Sequence, residues 1–190
     1  MALRNEWANM TGLVGVAYTC GHCGSRVAPN AGYYSSSNSA KIFICPMCSE
    51  PTYCSPAGLY MPGQPFGADV PYVPPKTAML YNEARKCLTI EASTAAVLTC
   101  RKLLMHIAVE QGAKEGEAFT KYVDFLVNNF VTLKAYPWVD HIRKQSNKPN
   151  HEVILMDRGD AEDLLAFSEM LLRLVYEFPN RIVPATEAAL

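Results

Sequence analysis

The chain has 190 residues and a net charge of -1 at neutral pH, and 49% of its residues are hydrophobic. This length allows one ordinary domain plus a small module, and the apolar fraction is high enough for a packed core, which excludes a disordered chain. The near-zero charge excludes a global basic field that would draw the whole chain onto nucleic acid, although a local basic patch stays open.

The N-terminal residues and the lengths of the apolar runs indicate the cellular location of the protein. No stretch approaches the roughly 18 apolar residues of a membrane span. The first ten residues include Arg4 and Glu6 and have no continuous apolar run, unlike a signal peptide. We therefore expect no membrane association, a cytoplasmic location and reduced cysteines. Seven cysteines in a reducing compartment indicate metal binding or burial rather than disulfides.

Residues 12–75 are rich in Gly, Pro, Ser, Tyr and Cys, which predicts short strands joined by turns. The sequence predicts strands at Leu13–Tyr18 and Lys41–Ile44, separated by a polar loop at Tyr33–Asn38. We place a small β module at residues 1–58. Residues 59–75 contain many prolines and are predicted to form an extended, semi-stiff linker.

Two C-x-x-C pairs in this module indicate a zinc ribbon, with Cys20 and Cys23 in one pair and Cys45 and Cys48 in the other. Each short turn directs two thiolates towards one metal, and four thiolates form a closed tetrahedral site with no open position for chemistry. We therefore predict structural Zn, needed to fold a module with few large apolar residues. The other three cysteines are predicted to pack without a metal: Cys54, Cys87 and Cys100.

Residues 76–180 are rich in Leu, Ala, Val, Glu and Lys, and their apolar residues recur at helical spacing. The pattern predicts about five helices, followed by a tail at 181–190. Asp160 is predicted as the N-cap of the last helix, which should end before Pro179. The predicted helices are Thr77–Glu91, Ser93–Gln111, Glu117–Val131, one that starts at Pro137, and this last one.

Three polar residues follow the fourth predicted helix at four-residue steps: Arg143, Asn147 and His151. On a continuous helix they share one face, where the Arg, the amide and the imidazole can hold a phosphate. Such a trio suffices for metal-independent RNA cleavage, because His transfers a proton while Arg stabilises the developing charge. Pro149 interrupts a helix in this interval. The alternatives are a solvated pair of cations and a histidine that caps a helix end, and both stay open.

The helical half, from about residue 70 to 180, resembles the bacterial and phage family known as domain of unknown function 4145, which is itself similar to HEPN domains. The Arg143, Asn147 and His151 spacing is the most telling shared feature. The other shared motifs are Val73-Pro74-Pro75, Tyr81-Asn82-Glu83-Ala84, Ala95-Ala96-Val97-Leu98, Arg101-Lys102-Leu103-Leu104 and Tyr176-Glu177-Phe178-Pro179. The resemblance implies a mainly α protein, namely a HEPN-like bundle behind a β zinc ribbon. It also implies a homodimer with the polar motifs of both chains in one cleft.

Two functions are compatible with these patterns. The first is binding of RNA or DNA, with metal-independent RNase activity by Arg143, Asn147 and His151, in conflict between phage and host. An excess of Lys and Arg before residue 149 suggests one basic face, with nucleic-acid contacts from Arg101, Lys102, Lys144 and Lys148. The second is a non-catalytic adaptor that binds a protein partner through the ribbon and the bundle, in which case the trio is structural.

Overall fold

The computed structural model describes residues 6–37, 39–131, 140 and 155–181. The chain divides into two compact units, Met1–Pro65 and Phe66–Leu190. The first contains the strands and the second contains the described helices. The expected combination of a β module in front of a helical unit is confirmed, whereas the description mainly α fits the second unit and not the chain as a whole.

The strands of the first unit are β1 Thr11–Gly12, β2 Tyr18–Thr19, β3 Arg26–Val27, β4 Ala31–Tyr34, β5 Lys41–Ile44, β6 Pro51–Cys54 and β7 Tyr60–Met61. Five of them form an antiparallel sheet in the order β1-β4-β5-β6-β7. A separate hairpin pairs β2 with β3, with Tyr18 opposite Val27. Together these strands bury a small core around Phe43, Tyr18 and Val27, with Cys20 and Cys45 among its buried members.

Two predictions about this sheet are corrected by the structure. The run predicted as one strand at Leu13–Tyr18 contributes only its last residue to a strand, and Thr11–Gly12 pairs instead with β4. Val14 in this run is 81% exposed, so an apolar run here does not mark a buried strand. The predicted polar loop at Tyr33–Asn38 begins with two residues of β4, because Tyr33 pairs with Ile42 across the sheet. The strand at Lys41–Ile44 is confirmed.

The described helices of the second unit share one apolar core. Its fully buried members include Tyr81, Leu104, Val123 and Leu165, one from each helix, so all four helices pack on a common centre. The helices are α1 Pro75–Thr89, α2 Ser93–Glu110, α3 Phe119–Phe130 and α4 Arg158–Leu172. The fourth predicted helix, which starts at Pro137, falls mainly on residues outside the described part of the chain.

The ends of these helices follow from local chemistry. Pro75 opens α1, where a missing N–H costs nothing. The N-cap of α4 is Asp157, whose carboxylate accepts a hydrogen bond of 2.8 Å from the Asp160 amide, so the prediction of Asp160 as N-cap is wrong. Asp157 can act as the N-cap because its backbone is extended and because it lies three residues before Asp160, whose amide it caps.

The last helix continues beyond the predicted end. A π-helical segment, Arg173–Glu177, follows α4, and a short α-helix, α5 at Phe178–Arg181, follows the segment. The sequence pattern ends the helix before Pro179, because proline breaks a helix interior. Pro179 lies two residues after the π-helical segment, inside a helix that runs on without a break from α4. The side-chain amide of Asn180 donates a hydrogen bond to the Tyr176 carbonyl at 2.7 Å.

The segment predicted as a linker, residues 59–75, is divided between the two units. Tyr60–Met61 forms the edge strand β7 against β6. Phe66, Val70 and Val73 pack against the helical core. Among the described residues, no helix is both long enough and apolar enough to cross a membrane.

Candidate metal centre

The two C-x-x-C pairs form turns of the same geometry. Each turn closes with a 2.8 Å backbone hydrogen bond, from Gly24 to Cys20 in the first and from Ser49 to Cys45 in the second. The last residue of each turn has a positive φ, 70° at Gly24 and 63° at Ser49. Glycine adopts this conformation freely, whereas Ser49 does so at some cost. The turns join β2 to β3 and β5 to β6, so the sheet and the hairpin each present one pair of thiols.

The four sulfur atoms form a compact cluster, in which all lie within 4.8 Å of one another. The Sγ atoms of Cys20 and Cys48 are 3.8 Å apart, and so are those of Cys23 and Cys45. A zinc ion with ~2.3 Å bonds to four tetrahedral sulfurs places them about 3.8 Å apart. The cysteines therefore form a metal-binding site whose spacing fits a tetrahedral thiolate site.

The surroundings shift the pKa of three of these thiols, and not in one direction: hydrogen bonds, first of all from Ser25, outweigh burial and lower the pKa of Cys23 to about 7. Burial is the main cause that raises the pKa of Cys48 to about 12, and neighbouring sulfurs raise it further. Burial likewise raises the pKa of Cys20. Protons therefore stay on these two thiols at neutral pH unless a metal displaces them, because a divalent cation stabilises the thiolate form.

Residues around the cluster hold its turns in place. The His22 ring nitrogen is hydrogen-bonded to the Pro51 carbonyl at 2.9 Å, which links the first turn to β6. The Trp7 indole donates to the Ser49 carbonyl at 2.7 Å and ties the N-terminal arm to the second turn. A Cβ on Gly21 would stand 2.4 Å from the Pro62 carbonyl oxygen, so a side chain there would displace the first turn. The role of Trp7 has no sequence signal, because its partner is 42 residues away.

The other three cysteines do not belong to this cluster. Cys100 is fully buried in the helical core, where burial raises the pKa of its thiol to about 12. Cys87 is half-buried on α1, and burial raises its pKa as well. Cys54 is half-buried beside the small core of the first unit.

The predicted nucleic-acid residues are only partly described. Arg101 is half-buried on α2, with its guanidinium 4.8 Å from the centre of the Phe119 ring, and burial lowers its pKa. Lys102, the next residue of α2, is exposed. The remaining predicted residues lie outside the described part of the chain: Arg143, Lys144, Asn147, Lys148 and His151.

The helical unit contains an ion-pair cluster that the sequence analysis missed. The Glu169 carboxylate accepts hydrogen bonds from the Ala68 amide at 3.0 Å, from the Tyr81 hydroxyl at 3.2 Å and from Arg173 at 2.8 Å. Arg173 also pairs with the buried Glu177 at 2.6 Å. The helical spacing of Glu169, Arg173 and Glu177 is the only sequence signal for this cluster.

Comparison with protein families identifies the helical unit. Residues 82–187 match the model of the family described as Domain of unknown function (DUF4145). The chain belongs to the DUF4145 family. No curated protein and no solved structure matches the chain. The DUF4145 match begins within α1 and extends past α5, and the four-cysteine site lies in front of it.

Proposed function

We propose that this DUF4145 protein binds RNA through a HEPN-like bundle and cleaves it without a catalytic metal. Membership of the family supports the bundle. The recurrence of Arg143, Asn147 and His151 at four-residue steps supports the chemistry. The proposal includes a cytoplasmic homodimer that acts in conflict between phage and host, with zinc as the structural metal of the four-cysteine site.

The spacing of the trio carries this proposal. Arginine offers a fixed fork of donors that matches two phosphate oxygens. The histidine changes charge near neutral pH, so it can take the proton of the attacking 2′-hydroxyl and return one to the leaving oxygen. Asn147 adds a neutral hydrogen bond, and Lys102, Lys144 and Lys148 add attraction along the phosphate backbone.

Cleavage of labelled RNA by the zinc-loaded protein, in Mg²⁺-free buffer, tests the catalytic step. We expect cleavage by the wild type and a loss of about a hundredfold or more in Arg143→Ala and His151→Ala, the usual scale of acid–base and charge-stabilising groups. His106→Ala is the matched control, because His106 lies in the same unit on the described helix α2. Circular dichroism and bound zinc show that each variant is folded. Equal trace cleavage in all variants would reject the catalytic step.

Binding can be tested separately from cleavage. Fluorescence anisotropy with labelled single-stranded RNA, measured over a range of salt, reports the number of phosphate contacts. Each lysine that touches a phosphate contributes about 0.7 to the salt slope for single strands. We expect Lys102→Ala, Lys144→Ala and Lys148→Ala each to lower this slope. No binding by the wild type would reject the nucleic-acid proposal.

One observation favours a second candidate, a non-catalytic adaptor that binds a protein partner. Arg101 was predicted to contact nucleic acid, but its guanidinium packs against Phe119 and is half-buried. A cation engaged in this way adds little to a phosphate-binding face. If RNA is neither bound nor cleaved, the adaptor becomes the better explanation of the family's fold, and we would expect Arg101→Ala to lower stability.

A further inference from the structure

The first unit contains the same short pattern twice, at residues 18–27 and at residues 43–52. Each copy carries one C-x-x-C turn, which begins at the third residue of the copy, Cys20 or Cys45. In both copies the amide of that cysteine donates to the carbonyl of the residue that precedes the next strand, at 2.9 Å in the first and 3.0 Å in the second. The two copies therefore share hydrogen bonds as well as spacing, and their side chains can be compared position by position.

The buried side chains next to the two turns differ by two hydroxyl groups. Tyr18 lies opposite Val27 in the first copy, and Phe43 lies opposite Thr52 in the second. All four side chains are more than nine-tenths buried. Phe43 has the ring of a tyrosine without the hydroxyl, and Val27 has the shape of a threonine without the hydroxyl. Because each position is apolar in one of the copies, packing alone does not require the hydroxyls of Tyr18 and Thr52.

Both hydroxyl oxygens are buried and have no hydrogen-bond partner among the residues that the structure describes. Burial of an unpaired hydroxyl destabilises a fold, so such a group calls for an explanation. Burial is the main cause that raises the pKa of Tyr18, the nearby Thr52 hydroxyl lowers it, and the charges of three cysteines raise it further. Those three cysteines belong to the sulfur cluster and pack in the same small core as Tyr18: Cys20, Cys45 and Cys48. The polar surroundings of the Tyr18 hydroxyl are therefore Thr52 and metal-binding sulfurs.

We propose that the Tyr18 hydroxyl, supported by Thr52, donates a hydrogen bond to a metal-bound thiolate of the four-cysteine site. This role rests on the proposed zinc and is independent of the proposed nuclease. Metal binding removes the thiol proton and leaves negative charge on sulfur, so the sulfur becomes a stronger acceptor. Tyr18 is the donor to sulfur because a phenol is a stronger acid than an alcohol. Thr52 donates in turn to the Tyr18 oxygen, which polarises the phenol O–H further.

The sign of the effect on metal affinity distinguishes this role from that of an unused hydroxyl. Groups that hydrogen-bond to metal ligands strengthen metal binding, and their loss typically weakens it about ten- to a hundredfold. Removal of an unpaired buried hydroxyl does the opposite, because it stabilises the folded state that binds the metal. We therefore expect Tyr18→Phe, which copies Phe43, to weaken zinc binding about tenfold. Thr52→Val, which copies Val27, should weaken zinc binding as well.

Competition between the full chain and a coloured zinc chelator measures this affinity. Thr52→Ser is the conservative variant and should keep the wild-type affinity, since it retains the hydroxyl. Tyr60→Phe is the matched control, because the Tyr60 ring stacks on Tyr18 with the ring centres 4.8 Å apart, while its hydroxyl lies beside Cys54, outside the sulfur cluster. Circular dichroism of each zinc-loaded variant confirms that it is folded.

Cobalt(II) in place of zinc gives a second readout, which reports on the sulfurs directly. A hydrogen bond draws electron density from sulfur, so its loss in Tyr18→Phe should move the sulfur-to-cobalt charge-transfer band to longer wavelength. Tyr60→Phe should leave the band in place. The proposal fails if Tyr18→Phe binds zinc as tightly as the wild type or more tightly, if Thr52→Ser weakens binding as much as Thr52→Val, or if the cobalt band does not move. A wild type that binds neither metal would instead reject the proposed zinc site itself.

Discussion

Cys54 is the last residue of β6 and Cys45 directly follows β5, but only Cys45 contributes to the sulfur cluster. Cys45→Ser removes one of four thiolates and leaves an incomplete site around the metal. We expect loss of most bound zinc and of the β structure, because a small metal-dependent module gains its folding free energy from the metal. Metal analysis and tyrosine fluorescence measure both effects. Cys54→Ser is the control and should retain one zinc per chain; equal zinc loss in both variants would contradict the four-cysteine site.

The stability of the protein at acid pH tests the hydrogen bonds made to the Glu169 carboxylate. Burial alone would raise its pKa, but hydrogen bonds from Arg173, the Ala68 amide and the Tyr81 hydroxyl outweigh burial and hold the pKa below its usual value. A carboxyl whose pKa is lowered by folding stabilises the protein above its unfolded pKa, about 4.3, and loses this contribution as the pH falls through the folded value. We therefore expect the free energy of unfolding of Glu169→Gln to fall less steeply below about pH 4.3 than that of the wild type.

Chemical denaturation at several pH values measures this difference. Tyr81→Phe removes one of the three donors and leaves Arg173 in place, so its acid dependence should lie between those of the wild type and Glu169→Gln. A wild-type slope in Glu169→Gln would show that this carboxyl does not contribute to acid unfolding.

At the scale of single residues, the sequence predicts metal ligands better than it predicts the hydrogen-bond partners of a side chain. The metal cysteines were predictable because each C-x-x-C turn is a local device that works at a fixed spacing. The partners of Glu169 were not, because the Ala68 amide is 101 residues away and Tyr81 is 88 residues away. Likewise the conformation of Arg101 depends on Phe119, which a different helix supplies.

At the scale of the secondary-structure elements, the first turn of α4 shows which of two aspartates, Asp157 or Asp160, is the N-cap. The Asp157 carboxylate accepts from the Asp160 amide, as a side-chain N-cap does. We expect Asp157→Ala to lower the free energy of unfolding by about 1 kcal/mol, the usual cost of a lost cap. Asp157→Asn is the matched control, because asparagine caps a helix as well as aspartate. A loss in the asparagine variant equal to that in the alanine variant would show that charge, not capping, matters here.

The helical spacing of apolar residues predicted the interiors of the described helices, whereas the ends of the helices depend on the three-dimensional structure. The predicted α2 and the observed α2 both begin at Ser93, and their ends differ by one residue. Gly112, with φ of 102°, explains the sharp stop. The π-helical segment could not be predicted, because its five residues are too few to show an apolar period of their own.

At the scale of the whole molecule, the two units have separate sources of stability. The apolar core of the helical unit contains buried side chains from α1, α2, α3 and α4, and the partly buried residues packed on it all belong to the second unit. Among its described residues, the first unit has a small cluster of buried side chains, two of which are cysteines of the metal-binding site. A core of this size does not suffice without a crosslink or a metal.

Removal of the metal should therefore unfold one unit and spare the other. With a strong zinc chelator we expect the tyrosine fluorescence of the first unit to change and its chain to become sensitive to protease. The helical circular dichroism signal should stay within about a tenth of its starting value, because the described residues of the helical core include none of the four clustered cysteines. Excess zinc should reverse both changes. Collapse of the helical signal along with the ribbon would show that the helical unit depends on the ribbon for its fold, whereas full resistance of the ribbon to the chelator would show that its small core folds without the metal.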